Sequence, residues 1–401
     1  MSQMSFVSAI ASHSDLEQAL ADLFSQVEPG WQIDVAFLFV STYFTHEIEE
    51  IVARLRAKLN PGVLIGCTAE GVIGEAREIE NEPAISLVVA RLPGVQITPF
   101  MLQPGSSEWH RMLLSPGEFC RAVDVPADAQ LFMLLADPFS IPIDDVLLAF
   151  TTCYPGIPMV GGMASGALRP NGNVLIANDF LTRQGAVGLA FSGNLSVDII
   201  VSQGCRPIWR PFKVQSAHRN IIYNLEGRSP LAWLQDLIPE LSEEDRVLLQ
   251  NGLFVGRAID PAPDVMGRGD FLIRGVTGID QENGAIAISD SVMEGETIQF
   301  HLRDAITAQE DLEMLLIPQM FRKPPSGGLL FTCNGRGTRL YDHPNGDISI
   351  IQRSIQDIRL AGFFCAGEIG PVANQNFIHG QTVSLALFRP RYDPGKDEFL
   401  S

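Results

Sequence analysis

Basic residues are scarce. In 401 residues, 28 Lys+Arg stand against 47 Asp+Glu, giving a formal charge of −19 and a pI near 4.7. A surface this acidic repels phosphate backbones and anionic headgroups, so neither nucleic acid nor a membrane face is expected as a partner. No apolar run approaches the ~18 residues of a spanning helix. The opening residues MSQMSFVSAIASHSDLEQ lack a basic leader, so no secretory signal is expected. The six cysteines (Cys67, Cys120, Cys153, Cys205, Cys333 and Cys365) contain no CxxC pair. That scatter predicts reduced, individually placed thiols in the cytoplasm and disfavours a structural zinc site. GxGxxG is absent, as are GxxxxGK before Ser or Thr, the GxSxG elbow and the HExxH helix. Standard nucleotide sites and the commonest hydrolase signatures are thereby missing.

What is present is apolar and rich in turns. Hydrophobic residues make up 46% and charged ones 19%, enough to build real cores, while 36 glycines and 26 prolines announce many tight turns. Length alone suggests roughly two to three domains. The pattern predicts a mixed α/β protein of repeated strand–helix–strand units. A helix is expected to open the fold, with Ser14 and Glu17 as a capping box, Leu16, Leu20, Leu23, Phe24 and Val27 on one face, and Glu28-Pro29-Gly30 as the stop. VAFLFVS (35–41) reads as a strand covered on both faces, and 46–59 as an amphipathic helix. Strands at 84–92, 131–137, 185–193, 327–337 and 382–390 and helices at 144–154, 229–237, 242–252 and 306–320 complete the reading.

The order recurs. GCTAEGVIG (66–74) and GFFCAGEIG (362–370) superpose at Gly66/Gly362, Gly71/Gly367, Ile73/Ile369 and Gly74/Gly370, and GGMASG (161–166) is a looser third copy. Such self-similarity implies two related halves, with a boundary near 204–214 and domains over 1–205 and 206–401. Between them, 271–304 alternates with period two and carries turn signals at Gly278, Asn283-Gly284 and Glu294-Gly295, predicting a hairpin or small meander insert.

Glycine turns at the ends of parallel strands are where α/β sheets bind ligands. If the copies converge, Gly66, Cys67, Thr68, Glu70, Gly162, Ser165, Gly367, Glu368 and His379 would ring one pocket. Glycines that serve tight strand packing are the alternative. FTCNGRG places Cys333, Asn334 and Arg336 beyond a strand, where the guanidinium could grip a carboxylate or phosphate, or instead pair with a structural carboxylate such as Glu368. Cys67 occupies a position nucleophiles use, and small packed cysteines use it too. The histidines (His13, His46, His110, His218, His301, His343 and His379) show no metal-ligand spacing, although a single axial histidine for haem leaves no spacing to find.

GCTAEGVIG with PAISLVVARLPG, GAVGLAFSG, SQGCRPI, YNLEGRSPLAWL, TCNGRG, GFFCAGEIGP and FIHGQTVSLALF together resemble the FIST proteins, in order, over about residues 30–390. The resemblance implies FIST N-terminal and C-terminal domains in a bacterial, stand-alone sensory protein, not an enzyme. It further implies a small-molecule ligand, amino acids being one proposal and a small organic acid another. Output would pass through a signalling partner such as a histidine kinase or receptor. No cofactor is expected. A haem-based nitric-oxide sensor with one axial histidine, and a Cys-dependent enzyme using Cys67 or Cys333, are the alternatives.

Overall fold

A computed structural model describes residues 3–27, 30–105, 107–260, 266–267 and 269–391, with the backbone alone at 107, 108 and 110. The first run of elements is β1 (Ser5–Ala11), α1 (Leu16–Gln26), β2 (Val35–Ser41), α2 (Ile48–Leu59), β3 (Val63–Ala69), the hairpin β4 (Gly71–Gly74) and β5 (Arg77–Glu80), and β6 (Ile85–Arg91). A second run repeats it: β7 (Val95–Leu102), α3 (Ser107–Leu114), α4 (Pro116–Val123), β8 (Leu131–Ala136), α5 (Ile143–Cys153), β9 (Met159–Met163), the hairpin β10 (Leu175–Ala177) and β11 (Phe180–Thr182), and β12 (Ala186–Gly193). A third begins at β13 (Ser196–Gln203) and is interrupted. The interruption carries β14 (Cys205–Pro207), β15 (Phe212–His218), β16 (Ile221–Leu225), α6 (Pro230–Leu237), α7 (Glu243–Gln250), β17 (Leu253–Ala258), β18 (Phe271–Ile279), β19 (Ile286–Ile288) and β20 (Thr297–Arg303). The third run resumes with α8 (Ala305–Leu316), β21 (Gly327–Cys333), α9 (Gly346–Ser354), β22 (Leu360–Cys365), the hairpin β23 (Glu368–Val372) and β24 (Gln375–His379), and β25 (Thr382–Arg389).

Two compact units result. One gathers residues up to Val201, Glu313–Ile378 and the chain from Val383; the other holds Ser202–Leu312 and His379–Thr382.

The first unit has three six-stranded sheets, ordered β1-β6-β2-β3-β10-β11, β7-β12-β8-β9-β23-β24 and β13-β25-β21-β22-β4-β5. Each centres on one parallel pair, β2–β3, β8–β9 or β21–β22, flanked by an antiparallel return strand. Each run also exports its hairpin. β4–β5 joins the third sheet, β10–β11 the first and β23–β24 the second, which closes a cycle of strand exchange. The repeated units expected from the sequence are present, and the structure counts three.

Register explains the glycines. Gly66, Gly161 and Gly362 lie opposite Leu38, Leu134 and Leu330 on the parallel neighbour. A Cβ at those three would stand 1.9, 1.9 and 1.7 Å from the leucine carbonyl oxygens, so only glycine fits. On the other side of each glycine sits an isoleucine of the imported hairpin: Ile176 against Gly66, Ile369 against Gly161 and Ile73 against Gly362.

The strands are apolar on both faces because both are covered. Inner faces from all three sheets share one core through Phe39, Met133, Val187, Phe331, Phe363 and Phe388. The Phe39 and Phe363 rings stack with centroids 5.0 Å apart. α1 and α2 cover the outside of the first sheet with Leu20, Leu23, Ile51 and Leu55, and α3, α4 and α5 cover the second with Trp109, Phe119 and Phe150.

The second unit is a seven-stranded antiparallel sheet, β14-β20-β15-β16-β19-β18-β17, in which β17 also pairs with β20 and closes the sheet on itself. Its core gathers Phe212, Ile222, Val255, Ile286 and Phe300. The meander expected at 271–304 lies inside this sheet. Gly278 is a register shift within β18, not a turn.

Three further expectations change. The fold opens with strand β1, which pairs antiparallel with β6, before α1. Asp15 caps α1 in place of Ser14, its carboxylate accepting from Gln18 N, because Asp15 is the residue next to the first helical turn. The expected stop at Glu28-Pro29 lies outside the described residues. Cys120 and Cys153 are joined in a disulfide between α4 and α5, with Cα atoms 5.7 Å apart, so those two are not free thiols. Helix packing brings together residues 33 apart in sequence, a pairing no spacing motif announces. Among the described residues, no helix is long and apolar enough to cross a membrane.

Candidate functional site

The three glycine turns meet where the parallel strands end. Ser165, in the loop after β9, ties all three: its hydroxyl accepts from Glu70 N at 2.9 Å and donates to the Phe364 carbonyl. Met163 N donates to Gly367 O at 2.8 Å and Ala366 N to Met163 O at 3.0 Å. Thr68 Oγ1 accepts from Val174 N, and a Cβ at Gly166 would lie 2.7 Å from that oxygen. At Gly162 a Cβ would meet Cys365 Sγ at 2.4 Å. Gly66, Cys67, Thr68, Gly162, Ser165 and Gly367 thus converge, but the space between them is packed. Cys67 and Cys365 are buried, and burial pushes both thiols well above the usual range, away from the thiolate a nucleophile needs. Glu368 is buried on β23 opposite Gly162, and Cys333 is buried at the end of β21. His379 is buried and belongs to the second unit.

Arg336 is wholly enclosed and pairs with Asp347. Nε donates to Asp347 Oδ2 at 2.8 Å and Nη2 to Oδ1 at 2.6 Å, a two-pronged pair that Thr332 and Tyr341 complete. The seat of α9 brings Asp347 under β21, where Thr332 donates to it. Burial works to raise Asp347, and Arg336 beside it outweighs that and holds the carboxyl below its usual range. Glu78 lies next to this pair, its Oε1 accepting from Ile348 N at 2.8 Å. Burial first, and Asp347 second, push Glu78 up to about 8. This cluster is structural: Arg336 offers no edge to solvent.

A shallow polar cleft lies beside it, its enclosed part about 10 Å³ or roughly one water, lined by Glu70, Gly71, Glu80, Asn81, Asn334, Arg339 and Phe364. The exported hairpin brings Glu70 and Glu80; the turn after β21 brings Asn334 and Arg339. Arg339 pairs with Glu70 and donates from Nη1 to Asn334 O at 2.7 Å. Its side chain is 49% exposed, and Glu70's hydrogen bond holds it more firmly protonated than a free arginine. Glu80 accepts from Thr338 N at 2.9 Å and Oγ1 at 3.1 Å. Of the residues picked from sequence, Glu70 and Asn334 line this pocket. Arg339 and Glu80 were missed. Arg339 stood three residues past the motif that drew attention, and Glu80 reaches Thr338 across a separation of 258 that no local pattern reports.

The histidines are dispersed. His13 lies 3.6 Å from Asp22, His343 stacks on Tyr341, and His301 is buried against Phe271, with burial lowering it to about 4. His110 lies outside the residues whose side chains are described. Among the described residues, no group of three or more His, Cys, Asp or Glu is placed to hold a metal ion.

Family models match residues 34–228 as the FIST N domain and 230–371 as the FIST C domain. An uncharacterised protein of Mycobacterium tuberculosis strain H37Rv is 38% identical over 357 residues, 88% of this chain and 91% of its own. One from Mycobacterium bovis is 35% identical over 387 residues, 94% of this chain and 97% of its own. Among solved structures, a cyanuric acid hydrolase from A. caulinodans covers 97% of this chain and 100% of its own at 7% identity, with a TM-score of 0.38, a likeness too loose to carry an argument.

Proposed function

We propose, from the premise that the chain belongs to the FIST family of sensory signal-transduction domains, that it is a non-enzymatic cytoplasmic sensor of a small zwitterion. The ligand is an α-amino acid or close relative, and the output is contact with a signalling protein. The observation that carries this reading is the charge pattern of the cleft at the strand ends, where one exposed guanidinium faces two carboxylates at the surface. A ligand carboxylate suits the edge of Arg339 that Glu70 and Asn334 leave over, and a ligand ammonium suits Glu70 and Glu80. Two carboxylates to one guanidinium favour a ligand that brings its own positive charge, so a plain organic acid fits less well. The pocket's position beyond parallel strand ends is where such sheets place ligands.

Calorimetric titration with the common amino acids, each beside the carboxylic acid lacking the amino group, tests this. At least one amino acid binds, its deaminated analogue at least tenfold more weakly, and Arg339→Ala and Glu70→Gln each abolish the heat at unchanged melting temperature. A panel without heat, or binding untouched by Arg339→Ala, refutes it.

A further inference from the structure

A second pocket lies away from the strand ends, between β7 and the helices α3 and α4, with a volume of about 270 Å³. Met101, Met112, Ala122 and Trp109 give it an apolar floor, with Arg111 and Glu118 at its edge. The two charged groups face each other at 3.6 Å and cancel. The indole is different. Trp109 is 4% exposed, and its Nε1 has no hydrogen-bond partner among the described residues. A buried N–H left without an acceptor is costly, and in a folded protein it asks for a reason. The wall that faces it is held in place, since α4 is tied to α5 through Cys120 and Cys153.

We infer that this pocket binds an uncharged, apolar molecule carrying one carbonyl oxygen, which accepts from Trp109 Nε1–H while its hydrocarbon part lies on Met101 and Met112. The cancelled charges exclude an ion as the favoured ligand. The single unmatched donor selects for an acceptor, and the polarisable thioethers and indole face suit a compact aliphatic body. The site is separate from the Arg339 pocket and does not depend on it.

The probe is 2-heptanone, titrated into the intact protein labelled with 15N at tryptophan. The four indole N–H signals are assigned by Trp→Phe replacement of Trp31, Trp109, Trp209 and Trp233 one at a time. The Trp109 signal should move downfield with saturation while the other three stay. Trp109→Phe, which keeps the apolar bulk, should weaken binding several-fold, and Arg339→Ala should leave it unchanged. Equal drift of all four signals, no saturation, or undiminished affinity in Trp109→Phe overturns the assignment. If Trp109→Phe fails to fold, Ala122→Leu, which fills the pocket from α4, serves in its place: unchanged heptanone binding then overturns it.

Discussion

Replacing Gly66, Gly161 or Gly362 by alanine is the sharpest test of the threefold register. A built Cβ falls 1.9, 1.9 or 1.7 Å from a backbone carbonyl oxygen of the parallel neighbour. An ordinary carbon–oxygen contact is about 3.3 Å, so a paired strand must retreat by roughly 1.5 Å out of a spacing of ~4.8 Å. No rotamer change relieves this, because the obstacle is main chain held by hydrogen bonds. The cost should therefore exceed the usual overpacking range, at about 3–5 kcal/mol for each site. At ~2–4 °C per kcal/mol, melting should fall by roughly 10 °C. Gly117→Ala on α4, where the nearest atom is 4.0 Å away, is the control and should be neutral or slightly stabilising. Urea unfolding at 25 °C beside scanning calorimetry measures both. Any of the three variants within about 0.5 kcal/mol of wild type would show that the register is not as described.

Two further outcomes concern charge and cross-linking. Glu78 keeps its proton in the folded state to about 8, against 4.5 unfolded, so the folded form binds the extra proton between those values. Stability from this group is therefore full below 4.5 and drains away as pH rises through 8, and Glu78→Gln should flatten that decline in unfolding curves taken from pH 5 to 9. Opening the Cys120–Cys153 bridge, by reductant or by Cys120→Ser, frees a segment spanning a separation of 33 and should cost about 4 kcal/mol by loop entropy. An unchanged midpoint on reduction, with free thiols rising by two, would refute a stabilising cross-link.

Much of this fold could be read along the chain because its strands are buried on both faces. Runs such as VAFLFVS and LFMLLA have no polar alternation to confuse with helix, and every residue in each is buried. The glycine pairings Gly66/Gly362 and Gly71/Gly367 were legible because close approach tolerates no other residue. The GGMASG copy (161–166) was harder to see although its run is uninterrupted, because the Ile73/Ile369 and Gly74/Gly370 matches have no counterpart after Gly166, where Ala167, Leu168 and Arg169 follow. β1 escaped because SFVSAIA carries two serines and forms an edge strand, whose identity depends on pairing with β6. Hairpin export left no trace at all: β4 and β22 lie in different repeats, and nothing local to GVIG names its partner.

That export also explains why the candidate pocket could be only half read. Glu70 and Glu80 bracket a hairpin that the first repeat gives away, and Asn334 and Arg339 belong to the repeat that receives it. A turn that is glycine-rich for packing becomes a polar mouth only where donor and acceptor repeats bring opposite charges to one edge. Ser165, from the remaining repeat, fixes Glu70's backbone from below, so all three repeats contribute to the placement of a single carboxylate. In the proposed reading, a zwitterion bridging Arg339 and Glu80 fastens the exported hairpin to its host sheet, and by mass action contributes ~2.7 kcal/mol at a hundredfold excess over its Kd. The seam between repeats is then the element that the ligand tightens. A ligand confined to one repeat would have no such leverage.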